Sequence, residues 1–588
     1  MGVEFLKPNF TAGELAPTLH SRTDISKYQN GVANAENMII LPHGGLRRRP
    51  GLATVEDTKV DSKARMIPFV FNTEQKYLIL LRNLIIDIYR DGVLVSTEVS
   101  TYTEDEIFDV DVVQSADTMI FAHQNSKPYR LQRQGSDTLW DFSAIVFDYE
   151  PKETDGITDA WSATKGYPRC CTFFGGRLWL GGSTEYPTTI WGSKINGFFD
   201  FDLGEGEDDF ALADVLDTDQ YNPITNIFAG RDLQVFTTGG ELYNTASPIT
   251  PASSAWKRQT GYGSSRVNPI IIDGATLFVD SSARTIRQFL FDYTEDAYVS
   301  INISLLSSHL ITSAVAMDAI KGTEYDVGDY VYVVNEDGTV AVLNTMRHEE
   351  ITGWTHWTTD GDFIDVCVLE KDVYFLVKRN GVYFIELLTE GTYTDHHVLV
   401  EGTEPVTDNL VHNGSNVIHL LDNLNHTNTA TGAANTSVTT DYDQSMLNTD
   451  FKVVADYSIM PDAKPTGTTG DNSFTITRPA YRIEVGLNYL TNVQTLPIAT
   501  ETKKGSTLHR RKRVVKVDVN VVESLGVYAQ DRFSGDREFT VVLDRAPVPF
   551  TGFKEYYLLG YNRLAEIVVS QKEPLPFLLR SIAYEIEY

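Results

Sequence analysis

Short runs in which apolar and polar residues alternate dominate the chain from about residue 61 onward. The clearest example is residues 362–388, DFIDVCVLEKDVYFLVKRNGVYFIELL, where three runs are separated by Glu370-Lys371-Asp372 and by Asn380-Gly381. Alternation with a period of two places successive side chains on opposite faces of a β-strand, and Asn-Gly supplies the positive φ angles of a tight hairpin turn. The segment therefore predicts a three-stranded antiparallel meander.

Similar units recur along the chain. Asp337-Gly338 joins two alternating runs within residues 329–345, and weaker modules begin near residues 65, 108, 168, 224 and 269, which makes seven candidate modules in all. Their spacing of roughly 35 to 60 residues is around the length of one four-stranded propeller blade. The sequence predicts a mainly β protein with a β-propeller of about six to eight blades. A β-sandwich is the alternative.

Composition divides the chain into four regions. Residues 1–60 predict an extended N-terminal assembly arm, and residues 61–400 predict the propeller-like platform. Residues 401–475 are rich in Asn, Thr and small residues, which have little to bury, and they predict an exposed loop or a gate or tip insertion. Residues 476–588 return to alternation and predict a separate C-terminal β domain.

Acidic residues are in large excess. The 588 residues include 80 Asp and Glu against 49 Lys and Arg, a net charge of −31, and residues 61–475 hold 61 of the acidic and 26 of the basic side chains. Because proteins that read DNA sequence neutralise phosphates with clustered Lys and Arg, this balance argues against such a reader.

The cysteines and the N-terminus bear on the compartment. Cys170, Cys171 and Cys367 are too few and too badly spaced for a disulfide framework. The sequence shows no secretory signal pattern and no apolar run long enough to span a bilayer, so we expect the protein to mature in the cytoplasm.

The sequence lacks the common catalytic and metal-binding motifs. The sequence contains no phosphate-binding loop, no His-Glu-x-x-His and no Gly-x-Ser-x-Gly. His396 and His397, with Asp395 beside them, would point to opposite faces of a strand and so make a poor metal site. The acidic stretch of residues 200–219 lacks the EF-hand pattern, and a solvated acidic surface is favoured over a calcium site or paired catalytic carboxylates. We predict no catalytic residue, metal or cofactor.

Basic residues concentrate at Arg47-Arg48-Arg49 and in residues 503–517. Contact with nucleic acid is one interpretation, and pairing with the acidic middle of the same or a neighbouring subunit is the favoured one. We expect alanine replacement of the three N-terminal arginines to affect assembly and to leave the stability of the monomer nearly unchanged. The candidate inter-subunit contacts are Arg47, Arg48, Arg510, Arg511, Lys512 and Arg513.

The N-terminal segment carries a resemblance to a known family. Residues 9–51, NFTAGELAPTLHSRTDISKYQNGVANAENMIILPHGGLRRRPG, resemble the N-terminal signature of the tail nozzle proteins of short-tailed bacteriophages (podoviruses), also called tail tubular protein B. Residues 112–123, 173–193, 485–497 and 574–588 are similar to parts of the same family. The matching signature positions are Asn9, Phe10, Gly13, Glu14, Leu15, Pro17, Arg22, Asp24, Tyr28, Gly31, Asn37, Pro42, Gly44, Gly45, Arg49, Pro50 and Gly51.

The resemblance implies a structural virion protein and not an enzyme. Members of the family form homohexamers with a β-propeller in each subunit, attach below an adaptor ring linked to the portal and carry tail fibres. Genomic double-stranded DNA leaves through the tube that they form, next to the host envelope. The expected location is therefore the virion tail, assembled in the host cytoplasm, and acidic walls would keep the DNA from sticking.

Two other functions remain open at this stage, a receptor-binding propeller protein and a polysaccharide-degrading propeller protein of a phage tail. The Ser-x-Asp-x-Gly-x-x-Trp boxes of sialidase propellers are absent, since the nearest match, Ser115-Ala116-Asp117, fails at Met119. Most aromatic residues are expected in the cores of the blades.

Overall fold

Strands make up nearly all of the regular structure. The computed structural model describes residues 3–55, 60, 62–153, 156–217, 220–322, 328–401, 417–419, 451–460, 473–475, 482–498, 501–502, 505–506, 508, 510–536 and 547–587. The helices in this part of the chain are short 3-10 turns at Pro17–Leu19, Ser26–Tyr28, Leu305–Leu310 and Arg347–Glu349.

Six consecutive four-stranded antiparallel units follow one another from residue 64 to residue 357, and we number them as blades 1 to 6. Each is a meander whose neighbouring strands are consecutive in sequence. Blades 1 to 3 are Ala64–Val70, Lys76–Arg82, Ile85–Arg90, Val93–Val99; Asp111–Ser115, Thr118–His123, Ser126–Arg133, Trp140–Ala144; and Cys170–Phe174, Arg177–Gly181, Thr189–Gly192, Leu212–Val215. Blades 4 to 6 are Ile224–Ala229, Leu233–Thr237, Gly240–Asn244, Trp256–Thr260; Ile270–Ile272, Ala275–Val279, Ile286–Asp292, Ala297–Asn302; and Ala314–Ile320, Asp329–Asn335, Val340–Met346, Ile351–Trp357.

Blade 7 combines the two ends of the propeller sequence. Its first three strands are Asp362–Leu369, Asp372–Arg379 and Val382–Thr389, and its fourth is Gly51–Thr54, which pairs antiparallel with the third. In this register Ala53 lies opposite Leu387. A strand that precedes blade 1 in sequence therefore completes the last blade.

The blades close into a ring. Each pair of neighbouring blades shares a hydrophobic cluster, and the last of these clusters joins blade 7 to blade 1 through residues such as Leu376, Ile385, Met66 and Leu80. The described residues thus form a seven-bladed β-propeller, as the predicted fold class requires, and the sandwich alternative is excluded.

Aspartates on the first strands link neighbouring blades near the propeller axis. The Asp365 carboxylate of blade 7 accepts the Met66 amide of blade 1 at 2.6 Å, and Asp111 accepts the Cys171 amide at 2.9 Å. Burial raises the pKa of Asp365 to about 7. A cavity of about 190 Å³ lies beside these residues and is bordered by Arg65 and Asp365.

The N-terminal residues join the propeller to the C-terminal β domain. The sheet of blade 6 continues from Ile351–Trp357 through parallel Gly13–Glu14 and Gly31–Glu36 into the C-terminal residues. The C-terminal strands of this sheet are Thr491–Thr495, Val568–Gln571, Val527–Ala529 and Arg532–Phe533.

A second sheet of the C-terminal β domain also contains N-terminal strands. Its order is Met38–Ile40, Leu46–Arg48, Leu578–Glu587, Arg513–Ser524 and Phe550–Tyr557, with Val3–Lys7 paired to Leu578–Glu587. One hydrophobic core fills the space between the two sheets and includes Phe10, Val32, Val519 and Ile582. The predicted C-terminal β domain is thus built from both ends of the chain.

The sheet of blade 7 extends beyond Gly51–Thr54. It continues through Asp395–Glu401, Arg482–Leu487, Phe451–Ala455 and Ser458–Ile459. Two small pairs stand apart, Val417–His419 with Ser473–Thr475 and Glu501–Thr502 with Gly505–Ser506.

Several sequence predictions can now be compared with the fold. The hairpin at Asn380-Gly381 is confirmed, with φ angles of 48° and 87°. The sixth module begins earlier than predicted, at Ala314–Ile320, because this strand is rich in alanine and shows weak alternation. Part of the predicted N-terminal arm is built into the sheets, since Leu46–Arg48 and Gly51–Thr54 are both paired strands.

The prediction for residues 401–475 is wrong in part. Val453 and Val454 are buried in the strand Phe451–Ala455, so this piece belongs to a sheet and is not an exposed loop. Most of the predicted gate or tip insertion lies outside the described residues. Cys170, Cys171 and Cys367 are buried free thiols. No helix in the described part of the chain is long and apolar enough to cross a membrane.

Candidate functional site

The signature segment runs through the junction between blade 6, blade 7 and the C-terminal β domain. Most of the signature positions are buried, and a few of them, on and near one turn, are exposed or half-buried. Pro17, Arg22 and Asp24 are exposed, and Asn9 and Pro42 are half-buried. The buried positions are Phe10, Gly13, Glu14, Leu15, Tyr28, Gly31, Asn37, Gly44, Gly45, Arg49, Pro50 and Gly51.

Gly13 allows the segment to enter the sheet of blade 6. Its φ angle is 64°, and a Cβ atom there would lie 2.4 Å from both the backbone nitrogen and the backbone oxygen of Trp354. Only glycine combines this backbone conformation with so close an approach. The conformation places the next residue, Glu14, inside the junction.

Glu14 lies between two histidines, His356 in the last strand of blade 6 and His309 in the 3-10 turn that precedes this blade. One carboxylate oxygen is 2.8 Å from Nε2 of His309, and the other is 2.8 Å from Nδ1 of His356 and accepts the Ala35 amide at 2.8 Å. Burial alone would raise the pKa of Glu14, but the hydrogen bonds from the two histidines lower it to about 2. Glu14 is therefore an ionised buried carboxylate that joins the N-terminal segment to the propeller.

His356 responds to the same contact. Burial would lower its pKa, but the hydrogen bond and charge of Glu14, with the charge of Glu36, raise it above 6.5. Because the folded-state pKa of His356 lies above the unfolded value, its protonation stabilises the fold fully below about pH 6.5, and this contribution is lost as pH rises through the raised pKa. The lowered pKa of Glu14 acts in the other direction: its contribution is present above about pH 4.5 and is lost as pH falls towards 2.

Arg49 is held by a buried ion pair. Its guanidinium donates to both carboxylate oxygens of Asp395 at 2.7 and 2.6 Å and to Oδ1 of Asn37 at 2.9 Å. The arginine is 0% exposed. This bidentate geometry fixes the chain immediately before the strand that completes blade 7.

Arg48 and Arg49 both contact the ring of Tyr489. The ring centroid is 4.2 Å from the Arg48 guanidinium and 3.7 Å from that of Arg49. Arg48 donates to the carbonyl oxygens of Glu573 at 2.7 Å and Tyr489 at 2.8 Å. Cation–π stacking and carbonyl contacts thus hold this cation inside the chain.

Gly51 is required by a close backbone approach. A Cβ atom there would lie 2.1 Å from the carbonyl oxygen of Thr394. The Gly51 amide donates to Thr392 at 2.9 Å. The Arg-Pro-Gly end of the signature therefore positions the closing strand against residues 392–394.

The predicted inter-subunit contacts divide into two groups. Arg48 and Lys512 are buried, and the Lys512 ammonium donates to the carbonyl oxygen of Ile498, so for these two the prediction is wrong: they are used within the chain. Arg47 is partly exposed and pairs with Glu390 at 3.0 Å. Arg511 is exposed, and Arg510 and Arg513 are half-buried; for these the role stays a prediction.

The other candidate residues are also in structural contacts. His396 lies 2.8 Å from Glu386, which forms a bidentate pair with Arg379, and all three are buried. Asp200 and Asp202 of the acidic stretch pair with Lys194 at 3.2 and 3.6 Å. Within the described ranges no group of three or more His, Cys, Asp or Glu is arranged to hold a metal.

Sequence reasoning missed the partners of the signature. His309, His356, Asp395 and Tyr489 lie far from the segment in sequence and stand in no recognisable motif. Asp395 was considered only beside His396 and His397. The one available signal was Glu14, since an acidic residue between apolar neighbours near a strand requires a buried partner.

Comparison with known proteins finds only distant similarity to solved structures. No family model matches the chain, and no curated protein sequence matches it. The crystal structure of BBS1N in complex with ARL6DN, soaked with mercury, is similar with a TM-score of 0.38 and 10% identity over 57% of this chain and 98% of that one. The WD40 domain of Neurospora crassa Pan2 gives 0.32 and 11% over 56% and 90%. Chaetomium thermophilum Raptor gives 0.36 and 7% over 58% and 29%.

The class that the fold and the junction define is a seven-bladed β-propeller locked by its N-terminal segment to a second β domain. The contacts of Glu14 and Arg49 are structural, since their partners His309, His356 and Asp395 tie the N-terminal segment to the propeller and to the residues that follow blade 7. The comparisons give no basis for transferring a function to the chain.

The first prediction concerns Arg49, and it replaces the expectation that alanine at the three N-terminal arginines leaves monomer stability nearly unchanged, because Arg48 and Arg49 are buried. Arg49→Ala leaves the Asp395 carboxylate buried without its cation, and we expect a loss of about 3 to 5 kcal/mol in the free energy of unfolding. Chemical denaturation followed by tryptophan fluorescence measures it. Arg22→Ala is the matched control, because Arg22 forms a similar bidentate pair with Asp24 at 2.9 and 2.8 Å that is exposed, and it should change stability little. Equal stability of the two variants would contradict the structural role of Arg49.

The second prediction concerns the pKa of His356. In the wild-type protein the pKa of its ring should lie above 6.5, and in Glu14→Gln this pKa should be lower than in the wild type, because burial is then opposed only by the charge of Glu36. NMR of histidine labelled with 13C at Cε1 follows each ring, and His356→Gln assigns the signal. An unchanged titration in Glu14→Gln would show that Glu14 does not control this histidine.

Proposed function

We propose that the chain is a structural virion protein that forms the distal tail tube, or nozzle, of a short-tailed phage. In this proposal several copies surround the path by which the genomic DNA leaves, one end of the tube attaches to an adaptor ring, and tail fibres attach to the outside. The protein has no catalytic role in it.

The observation that carries the proposal is the identity of the signature positions. Gly13, Glu14, Arg49 and Gly51 match the nozzle signature in order and spacing. The same residues form the turn, the buried carboxylate, the buried ion pair and the close approach at the junction. Residues that fix a junction constrain the three-dimensional structure far more than surface residues do. A match at these positions therefore supports a similar junction in the two sets of proteins.

The propeller axis bears on where DNA would pass. The cavity bordered by Arg65 and Asp365 measures about 190 Å³. A DNA duplex needs a far wider passage. Our proposal places the DNA between copies of the chain and not through the centre of a propeller.

The charge of the propeller supports a conduit in the same proposal. Residues 61–475 contain 61 acidic and 26 basic side chains, and loop 203–209 exposes Glu205, Glu207, Asp208 and Asp209. Carboxylates on the lumen wall would deny phosphates the counterion-releasing contacts that hold DNA. Our proposal includes such a wall, interrupted by polar or basic loops so that the repulsion does not prevent entry.

The test is to locate the protein in a virion. Antibodies raised against the purified chain should label the distal end of the tail in electron micrographs of phage particles that contain this polypeptide, as identified by mass spectrometry. Pre-immune serum is the control. Labelling of the capsid, or of fibres alone, would contradict the nozzle and favour another virion role such as receptor binding.

A further inference from the structure

Large apolar side chains are concentrated on one exposed stretch of the C-terminal β domain. We call it the aromatic ridge, and it comprises five residues between positions 553 and 564. Their exposed fractions are Phe553 59%, Tyr557 58%, Leu559 78%, Tyr561 60% and Leu564 45%. Single exposed apolar residues are ordinary, but five large ones within twelve consecutive residues are a feature of interaction surfaces.

The ridge follows from alternation along an edge strand. Phe550–Tyr557 is the last strand of its sheet, and Tyr556 and Leu558 point into the core. Because successive side chains point to opposite faces, Phe553, Tyr557 and Leu559 must face outward. The ridge is thus held by a packed strand.

Basic residues lie beside the ridge. The backbones of Lys512 and Asn562 exchange hydrogen bonds of 2.9 and 2.8 Å, which brings Arg511 next to the loop that contains Tyr561. Arg511 and Arg563 are both exposed. Among the described residues neither arginine forms an ion pair with a carboxylate. The surface therefore combines apolar area with available positive charge.

This composition is typical of a protein–protein contact. Tyr and Arg are enriched among the residues that dominate binding energies at interfaces, whereas Lys and Glu are depleted from interface centres. The nearby acidic residue Glu555 is occupied by Lys516 at 3.2 Å. A partner surface that matches the ridge must be acidic with some apolar area.

The chain itself carries such a surface. Residues 476–588 hold 16 basic and 13 acidic side chains, whereas residues 61–475 hold 26 basic and 61 acidic ones. Loop 203–209 of blade 3 exposes Leu203, 45% accessible, among its acidic side chains. The charges of the two parts are complementary, so the acidic propeller of one copy matches the basic and apolar ridge of another copy.

We propose that the aromatic ridge docks on the acidic propeller of a second copy of this chain. The inference deepens the proposed function and rests on it, because a nozzle is built from copies of one chain. A contact between two different surfaces is heterologous, and heterologous contacts generate rings when the rotation closes. Ring formation then depends on residues of the C-terminal β domain and not on the buried signature arginines.

The experiment compares self-association of full-length variants. Leu559→Ser combined with Tyr561→Ser removes the centre of the ridge. Leu6→Ser combined with Leu490→Ser is the matched control, since these residues are 62% and 56% exposed and belong neither to the ridge nor to a propeller blade. Sedimentation velocity over a wide range of concentrations measures the dissociation constant, and circular dichroism verifies folding. We expect the ridge variant to raise the dissociation constant roughly tenfold to a hundredfold, and the control to leave it unchanged.

A charge variant tests the choice of partner. Arg511→Glu with Arg563→Glu should weaken self-association by opposing the acidic propeller, and added salt should narrow its difference from the wild type. Unchanged association in the ridge variant would overturn the inference, as would a wild-type chain that stays monomeric at every concentration. Antibody labelling of the tail tests the nozzle separately, so failure of the ridge and failure of the proposed function are distinguishable.

Discussion

The closing of blade 7 by Gly51–Thr54 is the constraint on which the rest of the structure depends. A propeller is a ring of blades, and a last blade without its fourth strand would expose a row of unpaired backbone groups. Here the missing strand comes from a position more than 300 residues before its partner, Val382–Thr389. The two ends of the propeller sequence are therefore brought together when the blade forms. This closure costs conformational entropy of the chain, which the contacts of the strand must offset.

That closure explains the position of the buried ion pair. A buried pair gains little net free energy, because both ions must first lose their water, but breaking it leaves an uncompensated charge and is strongly unfavourable. The Arg49–Asp395 pair sits directly before the closing strand and beside Tyr489, which also contacts Arg48. We infer that this lock selects one register for the strand. Glu14 performs the corresponding task at the sheet of blade 6.

The parts of the fold that depend on local pattern could be predicted, and the parts that depend on distant contacts could not. The hairpin at Asn380-Gly381 was predictable because its turn chemistry and its flanking alternation are adjacent in sequence. The strand Ala314–Ile320 was missed because alanines pack in the ring without a strong alternating signal. The pairing of Gly51–Thr54 with blade 7 could not be predicted, because its partner strand Val382–Thr389 lies more than 300 residues away and no local sequence pattern indicates it.

The candidate site shows the same division. The sequence predicts that the consecutive arginines are on the surface, because runs of charged residues usually are. Arg48 and Arg49 are nevertheless buried, because the Tyr489 ring and the Asp395 carboxylate contact their guanidinium groups inside the protein. Lys512 is buried while its neighbour Arg511 is exposed, because adjacent side chains of an extended chain point to opposite sides. A single sequence without its partners in space gives no signal that separates such neighbours.

Hydrogen exchange measured by mass spectrometry tests the central claim most directly. If Gly51–Thr54 is an integral strand of the propeller, amides of residues 51–54 should exchange as slowly as those of its partner strand Val382–Thr389, and both should become exchangeable together as denaturant is added. Fast exchange of residues 51–54 in a protein whose partner strand stays protected would contradict the account.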